Sequence, residues 1–165
     1  MTIQVREKTI EEIKKRLSEM NTTLNKIMYL ESTLNISGFS FEIKRFIWKE
    51  LYELYEERGM FEKSAKAMAN KAGAEITFRE KINSYITAAE LFSRAGKVDN
   101  ADEMFVRASR DANDEQRAKI KLARKNIYLI SSKELENKGK NASAVKFYEK
   151  LIKMKLEDIE KNEIK

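Results

Sequence analysis

Apolar residues near the start of the chain recur in alternating three- and four-residue steps: Ile10, Ile13, Leu17, Met20, Leu24 and Ile27. Leu34 rejoins the series and Glu31 interrupts it. This spacing predicts one narrow-striped amphipathic helix over 10–36, roughly 26 residues and about 39 Å long. Thr9, with Glu12 three residues on, gives that helix a capping box at its start. Gly38 in "NISGFS" ends it, and Ser40 is the next cap.

From Phe41 onward the pattern predicts helices in pairs. Residues 41–58 are dense in aromatics and stop at Gly59, and "FEKSAKAMANKA" then runs to Gly73. Thr77 and Glu80 form a second capping box, opening a helix that reaches Gly96. Asp99 starts the next helix, which ends near "DAND", and Asn113 or Asp114 caps a long basic helix through Asn137. After Gly139, Asn141 caps a last helix that frays into "EDIEKNEIK". The reading is a single all-α domain, 1–165, of about seven helices: a long N-terminal helix over 10–36 and hairpins over 41–73, 77–112 and 114–161. The chain has no proline and five glycines, and no alternating run argues for a strand.

Alignment on Gly59, Gly96 and Gly139 shows what the glycines mark. Four residues before each stands a large apolar residue, Tyr55, Phe92 and Leu135; five after it a small one, Ser64, Ala101 and Ala144; nine after it a bulky one, Met68, Phe105 and Tyr148. Trp48 and Tyr128 stand eleven before the first and third, with Tyr85 and Tyr52 nearby in phase. This is the pattern of a helical hairpin: glycine makes the tight turn, the small residue lets two axes approach, and the bulky pair fills the space beside it.

The pattern resembles the tetratricopeptide repeat. The resemblance rests on Trp48, Leu51, Tyr55, Gly59, Phe61 and Met68 in a first unit. In a second it rests on Ala88, Ala89, Phe92, Gly96, Ala101, Phe105 and Ala108, and in a third on Tyr128, Leu135, Gly139, Ala144 and Tyr148. It covers residues 45–155, with spacings of 37 and 43 residues between the aligned glycines against the family's 34. The proline that often closes each repeat is missing, and the longer third unit also looks like the soluble adaptor of vesicle fusion. The resemblance implies a short right-handed solenoid of antiparallel hairpins, a variant with lengthened helices.

It also implies a concave surface lined by the first helix of each pair, holding a partner peptide or helix. By spacing from each glycine, the lining positions are Phe46, Lys49, Glu53 and Glu56, then Asn83, Ile86, Glu90 and Arg94, then Asn126, Leu129 and Lys133. Lys49 suits the subfamily that grips a C-terminal carboxylate, but Glu53 stands where its Asn partner belongs and would repel that group. The mixture of charges with Phe46, Ile86 and Leu129 suits an amphipathic helix better, including the protein's own first helix.

Composition narrows the chemistry. The chain contains neither histidine nor cysteine, which removes the usual structural zinc sites and the Ser-His-Asp and Cys-His arrangements. No glycine-rich phosphate loop exists. Glu53, Glu56 and Glu57 lie on adjacent turns, and beside Lys63 and Lys66 they read as a solvated face more than as a cation site. The expectation is no metal, no cofactor and no catalysis.

The net charge of +6 is uneven, with 16 Lys and Arg against 12 Asp and Glu over residues 101–165. Arg117, Lys121, Arg124 and Lys125 line one side of the long basic helix, a stripe able to follow a phosphate backbone, though no aromatics interleave it. The charged N-terminal stretch is unlike a signal peptide and no segment approaches a membrane span, so a cytoplasmic protein without membrane insertion is expected. The seam Ile13, Leu17, Met20, Leu24 and Ile27 has two readings. It packs along the first hairpin, received by Phe41, Ile47 and Leu54, or it pairs with its copy in a homodimer. The functional expectation is a protein–protein interaction or assembly module; the alternatives are a nucleic-acid binder using the basic stripe and a self-assembling structural protein.

Overall fold

The computed structural model describes residues 3–164 and contains eight helices and no strand among them. They are α1 (Ile10–Ser18), α2 (Thr23–Thr33), α3 (Phe41–Glu57), α4 (Phe61–Gly73), α5 (Phe78–Arg94), α6 (Val98–Arg110), α7 (Asp114–Asn137) and α8 (Asn141–Glu163). Each helix from α2 to α8 packs chiefly on its neighbours in the chain, with α5 also touching α7.

The single N-terminal helix expected over 10–36 is two helices. Residues 19–22 separate them, and the Thr22 hydroxyl accepts from the Asn25 amide at 3.2 Å, capping a new start. The reason is burial. Breaking the rod lets Ile13 and Leu17 of α1 and Ile27, Tyr29 and Leu30 of α2 enter one cluster with Ile47, Leu51 and Tyr55 of α3. Glu31, the residue that interrupts the apolar series, accepts a 2.5 Å hydrogen bond from the Tyr55 hydroxyl. The seam is therefore packed within the chain: Ile13, Leu17 and Ile27 are buried and Met20 half-buried, while Leu24 is left 51% exposed. Phe41, expected to receive it, is instead 67% exposed.

Gly59, Gly96 and Gly139 have φ of 69°, 74° and 72°, a left-handed conformation that glycine adopts without penalty. Their turns share one hydrogen-bond pattern. Each glycine N–H donates to the carbonyl three residues back (Glu56, Ser93, Glu136), in each case at 2.9 Å. The following N–H donates to the carbonyl of Tyr55, Phe92 or Leu135 at 2.8–2.9 Å, the large apolar position that the glycine alignment picked out. Two orphan carbonyls are satisfied at each helix end, and Ser64, Ala101 and Ala144 are buried just beyond. The helix pairs α3–α4 and α5–α6 have equal lengths, 17 and 13 residues, whereas α7 and α8 run to 24 and 23.

Two cap assignments and one helix start change. Thr77 caps α5, but its hydroxyl binds the Glu80 carboxylate at 2.7 Å in place of a full capping box. Asn141 is not a cap and Asp99 is the second residue of its helix; α6 and α8 begin at Val98 and Asn141 directly from Lys97 and Lys140, without a side-chain cap. The glycine turn already delivers the chain in helical register, so a polar cap is unnecessary there.

The core has two parts. One joins α1–α4 and the other runs from α4 to α8, with Tyr52 packed against both. In the second, Phe105, Tyr128 and Phe147 stack edge-on at centroid distances of 5.6 and 5.2 Å, tying α6, α7 and α8 together.

Candidate functional site

The residues expected to line a concave surface fall into two groups. Lys49, Glu53, Glu90, Asn83 and Arg94 are exposed and Phe46, Glu56 and Ile86 half-buried, on α3 and α5. Arg94 donates to Glu56 at 3.0 Å and its guanidinium stacks 4.2 Å from the Phe61 ring, holding α5 to α3 and α4. Lys49 and Glu53 pair with each other at 3.7 Å. Near the other end of the same helices Phe46, Lys49 and Asn83 converge on a shallow cleft of about 290 Å³.

The wall of this cleft is polar and partly buried. The Glu75 carboxylate lies 4.0 Å from Arg45, pairs with Lys71 and accepts from Ser84 at 3.3 Å. Arg45 also donates to the Ala74 carbonyl at 2.9 Å, which fixes the end of α4 against α3. With these charges satisfied internally, Lys49 and Asn83 are the groups that face outward as donors. Phe46 has a second duty: it packs against the α1–α4 cluster, with the Lys14 ammonium 5.5 Å from its ring.

On α7, Asn126, Leu129 and Lys133 are exposed, but Leu129 and Lys133 share a flank with Glu136, which accepts from Tyr148 of α8 at 3.0 Å. None of the three lines that cleft. The three carboxylates Glu53, Glu56 and Glu57 do not converge, since Glu53 turns to Lys49 and Glu56 to Arg94. Among the described residues no three acids stand close enough to hold a metal ion.

The basic stripe is engaged by the chain's own acids. Arg117 lies 3.8 Å from Asp114 and donates to the Ser109 carbonyl at 3.3 Å. Arg124 donates to Asp102 at 2.7 Å, and Lys121 and Lys125 both bind Asp158, the latter at 2.8 Å. These two lysines hold the Asp158 carboxyl down to about 2. Arg117, Lys121 and Arg124 form one wall of a cleft of about 470 Å³ between α6, α7 and α8, floored by Phe105, Ile120 and Met154.

Asp102 is the group that sequence reading missed. It accepts from Arg124, Tyr128 and Lys150, drawing α7 and α8 onto α6. Burial would raise its pKa, but the hydrogen bonds from Lys150 and Tyr128 and the Arg124 charge outweigh that and lower it. Nothing in "VDNADEMF" separates Asp102 from an ordinary surface acid; its partners lie 22, 26 and 48 residues away.

No helix among the described residues is long and apolar enough to cross a membrane. Compared with known protein families, with curated proteins and with solved structures, the chain finds no match in any of the three.

Proposed function

We propose that this protein is a non-catalytic interaction module, a variant tetratricopeptide-like array whose α3–α5 face holds a helix or extended segment of a partner protein. The supporting observation is the recurrence of one turn at Gly59, Gly96 and Gly139, with the same glycine conformation and the same pair of hydrogen bonds. A repeated hairpin sets the first helices of successive pairs side by side in the same phase. On α3 the exposed positions include Lys49 and Glu53 and on α5 Asn83 and Glu90, with Ile86 half-buried between the latter two. Mixed charge around a half-buried Phe46 and Ile86 matches an amphipathic segment.

The test is affinity capture from the source cells with the intact chain as bait, followed by Lys49→Glu, Asn83→Ala and Glu90→Lys in one variant. All three positions are exposed, so the fold should be retained, and a partner bound on this face should be lost at least tenfold. Undiminished recovery of every partner by that variant would remove the α3–α5 face from consideration. Titration with single- and double-stranded oligonucleotides at low salt should show no binding by the Arg117–Lys125 stripe, whose cations are already paired.

A further inference from the structure

The last hairpin presents two different faces. Toward α6 it places Arg124 and Tyr128 from α7 and Lys150 from α8, all bound to Asp102, together with Phe147 and Met154. Two residues along a helix is a rotation of about 200°. Leu122, Val145, Ile152 and Leu156, each two positions from Arg124, Phe147, Lys150 and Met154, therefore point the opposite way. Leu129 and Ile159 follow seven residues after Leu122 and Ile152 and join them. These six side chains are 42–60% exposed, a concentration of bare aliphatic surface unusual for a monomer.

We propose that this face is covered by the same face of a second copy, so that α7 and α8 of two chains form an antiparallel four-helix bundle. Charge complementarity identifies the occupant. Lys133 stands one turn beyond Leu129 on α7, and Glu149 lies between Val145 and Ile152 on α8; neither has an ion-pair partner among the described residues. A twofold axis parallel to the hairpin sets α7 of one chain against α8 of the other, antiparallel and at the level at which they already pair within a chain. The bonds from Lys121 and Lys125 to Asp158 and from Tyr148 to Glu136 mark that level. Lys133 then comes opposite Glu149 of the second copy, Leu129 opposite Ile152, and Leu122 opposite Leu156 and Ile159. Symmetry makes each pair twice. A strongly acidic or basic partner would meet one like charge for every opposite one.

The size is sufficient. A 24-residue helix is about 36 Å long, and two helices side by side present a strip about 20 Å wide. The footprint of ~700 Å² approaches the ~800 Å² per partner of a stable complex.

Sedimentation equilibrium of the intact chain from 1 to 100 μM (about two decades centred on a constant of ~10 μM) tests this. The expected result is a species of twice the 19.3 kDa chain mass. Leu122→Lys with Ile152→Lys should give a monomer of unchanged helicity, since both side chains are exposed. Lys133→Glu and Glu149→Lys should each weaken the dimer on the order of tenfold, and the double exchange should restore it. A wild-type chain that stays monomeric throughout overturns the proposal and leaves the face to a different partner. A dimer that survives the two lysine substitutions, or one lost on Leu24→Lys in α2, overturns it equally and moves the interface elsewhere.

Discussion

Arg124 on α7 donates to Asp102 on α6 at 2.7 Å, and the same carboxylate also receives Tyr128 from α7 and Lys150 from α8. Three helices meet on one acid at the junction where direct contact between α6 and α7 is sparse. This network and the Phe105–Tyr128–Phe147 stack join α7 and α8 to α6, beside the direct contact of α7 with α5.

Asp102→Asn should therefore destabilise the chain by about 2–4 kcal/mol, because it leaves Arg124 and Lys150 partly buried without their counter-charge. Urea unfolding of the two proteins at neutral pH measures this. The pH dependence has a definite sign. The folded-state pKa of Asp102 lies below its unfolded value, so its stabilisation is complete above about pH 4 and fades as pH falls through the folded value. The variant should lose less stability than wild type over that acid range.

The alkaline side depends on tyrosines. Burial, then the hydrogen bonds to Glu31 and Asp102, push the pKa values of Tyr55 and Tyr128 well above the ordinary tyrosine range. Their contribution is fully present below about pH 10, where unfolded tyrosine ionises, and is lost progressively above it. Tyr128→Phe should cost about 1 kcal/mol at neutral pH and flatten the alkaline fall in melting temperature. A curve parallel to wild type above pH 10 would mean that Tyr128 does not carry the effect.

Two glycines should respond oppositely to alanine. Gly96 has φ +74°, so Gly96→Ala should cost roughly 1–2 kcal/mol for left-handed backbone. Gly73 closes α4 without a positive φ, and an added Cβ there meets nothing within 4 Å. Gly73→Ala should be neutral or gain about 0.5–1 kcal/mol through reduced freedom of the unfolded chain. Thermal melts of the pair give the comparison directly.

Within the N-terminal pair, Leu17 and Leu24 separate the two readings of the seam. Leu17 is buried, and Leu17→Ala should cost about 2–4 kcal/mol by cavity formation without altering the sedimentation mass. Leu24→Ala, at an exposed position, should change stability by about 0.5 kcal/mol or less. Equal losses at both sites would mean that the α1–α2 break is absent in solution.

Sequence alone determined whatever depends on neighbours in the chain. The all-helical character, the three glycine turns and the buried small residue after each of them are local, fixed by left-handed backbone and by close packing of helices adjacent in the chain. The Thr9 and Asn113 caps are equally local, since each bonds an amide three residues away. Tertiary structure decided the rest. The break at 19–22 was written as "EMNT", but the apolar period runs across it; only the demand that both halves reach the same cluster around Ile47 and Leu51 makes the kink favourable. The fate of the charges was likewise a matter of distance in space. Arg124 and Lys121 look free along α7 because the acids that hold them, Asp102 and Asp158, are brought in from α6 and α8. An ion pair between residues dozens of positions apart has no spacing to read, and exists only once the helices that carry it have packed.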